Sequence, residues 1–273
     1  MNDLHINTDL ARKILTGFIK SELNRVGFKR AVIGLSGGID SALSCALAAE
    51  AIGPENVLAV RMPYKASSQE SLDHAQMVIE KFSVQSLTIP ITEMADPLIS
   101  LDPEISNTRK GNIMARCRMI VLYDQSEAFG GLVIGTSNKT EILLGYSTLF
   151  GDSASALNPI GDLYKTQVRL LSRALGIPDV IVDKAPSADL WANQTDEDEL
   201  GFLYEEVDKL LYLMIDQRYR MQECVDAGFD ENFVKNVMLR IQRNQFKRMP
   251  PPIAKVSNRT IGYDFLYLRD WGT

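Results

Sequence analysis

Short hydrophobic runs recur through the first half of the chain and predict buried β-strands. They lie at 31–35, 57–60, 86–89 and 131–135. Their hydrophobic residues are mostly consecutive instead of alternating with polar ones, which is typical of strands covered on both faces of a parallel sheet. A further apolar stretch at 178–181 is interpreted as a last strand or an extended segment.

Between these runs, hydrophobic residues recur every three or four positions, which predicts α-helices. The helical spacing is found between Asp9 and Gly27 and at about 41–49, 69–82, 112–128 and 166–175. Alternating strands and helices are typical of an α/β fold, here a doubly wound parallel sheet of the Rossmann-like kind. From about residue 196 onward we expect additional C-terminal helices, followed by an irregular tail after Pro250. We therefore expect one domain over residues 1–273.

The composition, 45% hydrophobic and 23% charged, is that of an ordinary globular protein. No apolar run approaches the roughly 18 residues that span a bilayer, and charges interrupt the N-terminal region, so we expect neither a membrane protein nor an exported one. A net charge of −6 argues modestly against nucleic acid as a partner.

The three cysteines lie far apart and form no Cys-x-x-Cys pair. This spacing gives poor support for a disulfide framework or a zinc site and fits the reducing cytoplasm. Cys45 and Cys117 fall within helical patterns, so we expect both to be small buried hydrophobic residues.

The first predicted strand ends at Gly34-Leu35 and leads into Ser36-Gly37-Gly38-Ile39-Asp40-Ser41. Backbone N–H groups and two hydroxyls at a helix N-terminus form a site for phosphate. The loop has neither the Gly-Lys-Ser/Thr of a Walker A loop nor the glycine spacing of a dinucleotide fingerprint. Asp40 would repel phosphate unless a divalent cation lay between them, so the loop predicts Mg²⁺ together with the phosphate. The alternative is a glycine-rich turn with a capping aspartate.

Polar residues also follow two other strands, at Arg61 and at 136–141. Ligands of doubly wound sheets bind beyond the carboxyl ends of the strands, where these residues would converge. Arg61 is a candidate to stack on or hydrogen-bond a nucleotide. Glu141 could share Mg²⁺ with Asp40, although a glutamate in the first turn of a helix is also explained by the helix dipole.

Two further groups of polar residues carry candidate chemistry. Asn112 and Arg116 are four positions apart, so they share a helix face and could hold one ligand. Asp152 and Lys165 bracket a segment long enough to be a mobile loop, and Lys165 could reach a polyphosphate. The acidic run at 196–199 is explained mostly by helix capping.

Taken together and in order, these segments resemble the ammonia-dependent NAD synthetase family, within the wider group of ATP pyrophosphatases that carry an SGGxDS loop. The loop alone indicates the wider group. The narrower resemblance rests on matching segments spread over nearly the whole chain: 110–112, 115–120, 135–141, 151–152, 186–190, 196–201 and 247–248.

The resemblance implies a fold similar to the adenine nucleotide alpha hydrolases and a ligase that forms a C–N bond. Such an enzyme adenylates the nicotinate carboxylate of deamido-NAD with ATP, releases pyrophosphate, and lets ammonia displace AMP to give NAD. It also implies a homodimer with the active site near the interface, of which the helix at 112–128 would form part. A glutaminase domain has no room in this chain, so free ammonia or a separate glutaminase would supply the nitrogen.

The resemblance also implies roles for individual residues. The residues expected to bind ATP are Gly34, Ser36, Gly37, Gly38, Ile39, Asp40, Ser41, Arg61, Gln69, Thr136, Lys165 and Ser187. Those expected to contact deamido-NAD are Asn112, Arg116, Asp152, Asp189 and Lys247, and those expected to bind Mg²⁺ are Asp40 and Glu141. Asp40, Asp152 and Lys165 would take part in catalysis, with Asp152 binding ammonium and promoting its deprotonation. Phe246 departs from the histidine found in relatives, which puts the neighbouring contact of Lys247 in doubt.

Two other functions remain open at this point. A tRNA-modifying ATP pyrophosphatase would be expected to have a basic surface, and thiolation generally needs paired cysteines. A non-catalytic nucleotide-binding regulator would tolerate the loss of Asp40 or Glu141, yet both are present. Cleavage of ATP between its α and β phosphates would separate an enzyme from such a regulator.

Overall fold

A computed structural model describes residues 4–186 and 201–266. Its centre is a parallel sheet of four strands in the order β3-β2-β1-β4. The strands are β1 (Arg30–Gly34), β2 (Val57–Arg61), β3 (Gln85–Thr88) and β4 (Gly131–Ile134). In register, Ala31 of β1 lies opposite Val57 of β2 and Leu132 of β4. The four strand predictions and the parallel α/β fold are confirmed.

Helices alternate with these strands and continue after them. The helices up to residue 182 are α1 (Thr8–Arg25), α2 (Ile39–Ile52), α3 (Gln69–Phe82), α4 (Thr92–Ile99), α5 (Asn107–Phe129), α6 (Lys139–Leu144), α7 (Lys165–Ala174) and α8 (Asp179–Val182), with a 3₁₀ turn at Pro54–Asn56.

Side chains of β1 alternate between two hydrophobic cores, one on each face of the sheet. Ala31 and Ile33 join the core that contains residues of α1, α2 and α7. Val32 joins the core on the other face, where α5 contributes Met114 and Val121. Both faces are therefore covered, as a doubly wound sheet requires, and this explains why the strands read as unbroken apolar runs.

A third core belongs to the C-terminal part of the chain. The helices there are α9 (Tyr204–Leu211), α10 (Met221–Asp226) and α11 (Glu231–Arg243), with a π-helical segment at Tyr212–Asp216 and a 3₁₀ turn at Gln245–Arg248. Val207, Leu211 and Val237 pack there with Leu144 of α6 and Tyr164, the residue before α7. The expected C-terminal helices are thus packed directly against the two helices that follow β4.

The prediction of an extended segment at 178–181 is wrong, because Asp179–Val182 forms the short helix α8. Pro178 holds φ at −52° at its N-cap, and Asp179 lies in the first turn, where a negative charge stabilises a helix. Of the two β-branched residues in that stretch, Ile181 is buried in the core that contains residues of α1, α2 and α7, whereas Val180 is exposed. Beyond β4 the sheet is extended instead by an isolated parallel bridge between Ile134 and Leu157.

All three cysteines are free and buried, which confirms the expectation for Cys45 and Cys117. Burial raises the pKa of the Cys45 thiol to about 12. Within the described ranges, no helix is long and apolar enough to cross a bilayer.

Candidate active site

A cavity of about 970 Å³ opens where the strands end at their carboxyl side. After β1 the chain forms β2 and then β3, both on one side of β1. It then crosses back, and β4 pairs with the other side of β1. The loops after β1 and β4 therefore separate at this point, which is where open α/β sheets bind their ligands. Both loops line the cavity, through residues 34–36, 38–41 and 133–136 among others.

The loop after β1 depends on a glycine. Gly37 has φ +83°, and a Cβ there would lie 2.1 Å from the backbone oxygen of Ser71 in α3. The Ser36 and Ser41 hydroxyls lie 3.0 Å apart, and Ser41 donates to the Gly38 carbonyl at 2.9 Å. Gly38 is the N-cap of α2 and has no side chain to cap the first turn. The first-turn N–H groups are thus available to an anion in a loop that is already ordered.

A cluster of charges lies beside this loop. The Lys165 ammonium, whose residue is 2% exposed, lies 2.5 Å from Asp40 Oδ2 and 3.1 Å from Glu141 Oε1. Lys165 is the first residue of α7, Glu141 lies in the first turn of α6, and Asp40 lies in the first turn of α2. Three helix N-termini thus bring two carboxylates and one ammonium to a single place.

The two carboxylates fit a divalent cation. They already surround one positive charge, and Mg²⁺ in proteins is commonly bound by one or two carboxylates, with phosphate oxygens and water as its other ligands. In the described part of the chain no cluster of three or more Asp, Glu, His or Cys residues could hold a metal ion by itself. A cation at this site would therefore complete its coordination with oxygens of a ligand or of water.

Asn138 links the two carboxylates and is fully buried. Its amide nitrogen donates to Asp40 Oδ1 at 2.9 Å, and its amide oxygen accepts from the Glu141 N–H at 3.0 Å as part of a capping box. Sequence reasoning missed this residue. The Asn-x-x-Glu spacing that begins at Asn138 is the available signal, but it also describes an ordinary helix start.

A second group of cavity residues comprises Asn112, Asp152 and Lys247. Thr148 joins two of them, since its hydroxyl donates to Asn112 Oδ1 at 2.7 Å and its N–H donates to Asp152 Oδ1 at 2.8 Å. Lys247 donates to the backbone oxygens of Gly145 and Ser147 at 2.7 Å each.

Asp152 is exposed to the cavity, and desolvation by the protein packed around its carboxyl raises the pKa of this group. The N–H bond from Thr148 and the positive charge of Lys247 act in the opposite direction. A carboxylate with a raised pKa is a better proton acceptor than an ordinary surface aspartate.

Comparison with known proteins agrees with this geometry. A family model described as NAD synthase matches residues 11–251. The chain belongs to the NAD synthase family. It is 59% identical over 272 residues to the NH(3)-dependent NAD(+) synthetase of Trichlorobacter lovleyi, covering 100% of both chains.

Two solved structures are also similar over nearly the whole NAD synthase fold. The NH3-dependent NAD synthetase of Campylobacter jejuni, in complex with a nitrate ion, superposes with a TM-score of 0.79 at 32% identity, covering 92% of this chain and 100% of that one. The NMN synthetase of Francisella tularensis gives a TM-score of 0.81 at 31% identity, covering 93% of this chain and 100% of that one. The resemblance read from the sequence motifs is confirmed.

Two further residues expected at the NAD synthase site are found at the cavity. Arg61 and Thr136 line the cavity. Arg61 donates to Gln76 at 2.8 Å, while its buried Nε meets no acceptor in the parts of the chain that are described. An unpaired buried donor at the cavity is what a ligand acceptor would satisfy.

Two expected residues lie away from the cavity lining. Gln69, the first residue of α3, is exposed and donates to Asp73 at 2.9 Å. Arg116 is exposed on α5 and donates to the backbone oxygen of Leu149 at 3.2 Å. Ser187, Asp189 and the acidic run at 196–199 lie outside the described residues.

Lys184 is a cavity residue that the sequence did not indicate. Its ammonium lies 3.1 Å from Glu70 and 3.4 Å from the Ser71 hydroxyl, and Ser71 also supplies the backbone oxygen that approaches Gly37. A single lysine after a short helix carries no recognisable pattern. Its place beside the 36–41 loop follows from its contacts with Glu70 and Ser71 of α3.

Proposed function

We propose that this chain catalyses the ATP-dependent amidation of deamido-NAD by ammonia, forming NAD, AMP and pyrophosphate. The observation that carries the proposal is the convergence of Asp40, Glu141 and Lys165 beside the 36–41 loop, in a chain of the NAD synthase family. A site that combines an anion-binding loop, two carboxylates and an ammonium suits a nucleoside triphosphate with a divalent cation.

The reaction needs two steps, because a nicotinate carboxylate cannot expel oxide when an amine attacks. In the first step a carboxylate oxygen attacks the α-phosphorus of ATP, the bond to the β-phosphate breaks, and pyrophosphate leaves. In the second step ammonia attacks the acyl carbon and AMP leaves with the bonding electron pair. The proton that ammonia carries in excess passes to a base.

ATP binding is assigned to the wall formed by the loops after β1 and β4. The loop residues Ser36, Gly38 and Ser41 would bind the phosphates, and Arg61 and Thr136 the rest of the nucleotide. Asp40 and Glu141 would hold Mg²⁺, which neutralises charge on the triphosphate. Lys165 directs its ammonium to the same place and would stabilise the charge that develops on departing pyrophosphate. Gln69 stays a candidate for the rest of the nucleotide, since it lies between the cavity residues Ser68 and Glu70, although its side chain donates to Asp73 here.

The dinucleotide and ammonia are assigned to the part of the cavity lined by Asn112, Asp152 and Lys247. Asn112 and Lys247 would contact deamido-NAD there. Asp152 would bind ammonium and take its proton, for which the raised pKa of its carboxyl is favourable. The residues expected at 187 and 189 remain candidates for the phosphates and the dinucleotide respectively.

The proposal extends to assembly and compartment. On α5, Arg116, Ile120 and Tyr123 are exposed at spacings of four and three, so they form one stripe on a helix that also lines the cavity through Asn112. A second copy of the chain covering this stripe would form a homodimer and bring Arg116 near the dinucleotide. The buried, unpaired cysteines suit a cytoplasmic location.

Exchange of labelled pyrophosphate into ATP tests the first step. We expect exchange that requires deamido-NAD, and formation of NAD when ammonium is added. Nicotinate mononucleotide should be tested in parallel, because the similar protein of F. tularensis is an NMN synthetase. Exchange without any nicotinate substrate, or exchange that requires tRNA, would contradict the proposal. ATP binding without cleavage would indicate a regulator instead.

A further inference from the structure

Asp208 of α9 is a fully buried carboxylate in the C-terminal helices. Its Oδ1 accepts from the Thr140 hydroxyl at 2.5 Å, and its Oδ2 accepts from the Thr166 N–H at 2.8 Å and from the Thr166 hydroxyl. Burial raises the pKa of this carboxyl, whereas these hydrogen bonds and the nearby charge of Lys165 lower it. Burying an aspartate is costly, so its environment must supply specific compensation.

Both of its threonine partners are sequence neighbours of residues in the charge cluster. Thr140 precedes Glu141 in α6, and Thr166 follows Lys165 in α7. A further bond closes the arrangement, since the Lys165 N–H donates to the Thr140 hydroxyl oxygen at 3.1 Å. Asp208 therefore fastens the first turns of α6 and α7 to each other and to α9.

The same helix also contacts the Lys165 side chain. Tyr204 lies one turn before Asp208 in α9, and the Lys165 ammonium lies 5.1 Å from the centre of its ring. A ring face at this distance attracts a cation. Lys165 thus receives support from α9 at its ammonium and through its backbone.

We propose that Asp208 is a positioning residue of the nucleotide site, which sets the placement of Lys165 relative to Glu141. The inference rests on the proposed function for the identity of the ligand, ATP. An ionised aspartate accepts all three hydrogen bonds, because it has two acceptor oxygens and no donor. Asparagine would present an NH₂ group to at least one of the donors, so it disturbs the arrangement with almost no change in volume.

The test measures the dissociation constant of ATP with magnesium by titration calorimetry on the full chain. Asp208→Asn is expected to weaken ATP binding about tenfold, because a displaced Lys165 would weaken one charged hydrogen bond to the ligand. Thr166→Val, which removes one hydroxyl donor at nearly constant volume, should weaken binding in the same direction. Thr166→Ser keeps the hydroxyl and should bind ATP as the unaltered protein does.

A role confined to folding would lower the melting temperature and leave the ATP dissociation constant unchanged, and that result would overturn the inference. Combining Asp208→Asn with Lys165→Met gives a second criterion. If Asp208 acts through Lys165, the double variant binds ATP no more weakly than Lys165→Met alone, whereas a further independent loss would overturn the inference.

A variant that does not fold and an unaltered protein that does not bind ATP have different consequences. If Asp208→Asn does not fold, the Thr166→Val and Thr166→Ser pair decides the question. Failure of the unaltered protein to bind ATP would reject the proposed function, while normal binding by both the unaltered protein and the Asp208 variant would reject this inference alone.

Discussion

Asp40 accepts hydrogen bonds from two side chains that reach it from distant parts of the sequence. Asn138 donates to one carboxylate oxygen at 2.9 Å and Lys165 to the other at 2.5 Å. A carboxylate held at both oxygens has little freedom to turn. Its orientation is fixed before a ligand binds, which is the condition for strong electrostatic catalysis.

Asp40→Asn should reduce deamido-NAD-dependent pyrophosphate exchange by about 100-fold or more, because it removes one of two charged ligands and leaves an amide facing the Lys165 ammonium. The assay is incorporation of labelled pyrophosphate into ATP. Asp162→Asn is the control, since Asp162 pairs with Lys139 and its side chain is 94% exposed. Equal loss in both variants would mean that the effect is not specific to the cluster.

Asp152→Asn should reduce NAD formation more than pyrophosphate exchange, because the proposed proton transfer belongs to the second step. The raised pKa of the Asp152 carboxyl determines how the rate of NAD formation should change with pH. Only the ionised carboxylate can accept a proton from ammonium. Because its pKa is raised, this carboxylate becomes protonated at a higher pH than an ordinary aspartate when the pH is lowered. The rate of NAD formation should therefore fall on the acid side. The pH profile of NAD formation should show this fall, and the variant should lack it. Equal loss of both activities would reject the role.

Single residues of the site were predictable where their chemistry is local. Asp40 could be predicted because a carboxylate in an anion-binding loop would repel phosphate unless a cation lay between them. Glu141 was then the candidate for a second ligand of that cation. Asn138 was missed because its capping box explains it without reference to Asp40. Gln69 stays a prediction, and its exposed side chain donates to Asp73 along α3. These last two outcomes depend on contacts between or along helices that sequence spacing does not specify.

At the scale of elements, the loop after β1 is shaped by how closely it approaches α3. The positive φ of Gly37 and the 2.1 Å that would separate a Cβ from Ser71 O are two separate requirements for glycine. The same close packing places Lys184 beside the loop, through its contact with Ser71.

Gly37→Ala should lower the free energy of unfolding by about 1–3 kcal/mol, because alanine is strained at this φ and its methyl group meets a backbone oxygen. Gly17→Ala is the matched control. Gly17 lies within α1, and a Cβ added there would have no neighbouring atom within 4 Å. There alanine should increase stability by roughly 0.5–1 kcal/mol. Urea denaturation of both variants measures the difference, and a neutral result at Gly37 would contradict the steric argument.

Most elements were predictable because their hydrophobic spacing is regular, and two exceptions show the limit. The helix α4 was missed, and it contains Pro97, a residue that usually argues against a helix interior. The helix α8 was predicted as extended, since four residues are too few to show helical spacing. For such short segments, burial against the sheet outweighs intrinsic preference.

At the scale of the whole molecule, the sheet has a hydrophobic core on each of its two faces. A third core, formed by the C-terminal helices, packs on α6 and α7. The sheet class could be predicted from the alternation of elements. The strand order could not, because apolar runs do not specify which strands are neighbours. The attachment of α9 to the charge cluster through Asp208 was equally inaccessible, since its partners are 68 and 42 positions away in sequence.

The proposed homodimer gives a prediction at this scale. Light scattering after gel filtration should give twice the 30.4 kDa of one chain. Ile120→Asp should yield monomers, because Ile120 is 54% exposed in the α5 stripe and a charge there would be buried by a partner. Ile14→Asp is the control, since Ile14 is similarly exposed but lies in α1, on the other face of the sheet. Monomers from both variants, or from neither, would argue against this interface.

The contacts of Lys247 and Arg248 have a consequence for how the enzyme is made. Lys247 binds the backbone oxygens of Gly145 and Ser147, and Arg248 binds that of Leu143 at 2.7 Å. The segment 143–147, part of which lines the cavity, is thus held by side chains that lie about a hundred residues later in the chain. A chain interrupted during translation before these residues would carry the loop, the carboxylates and Lys165 but lack this support. We expect a chain cut before Lys247 to be less active, because residues 145–147 of the cavity lining would lose the contacts of this lysine.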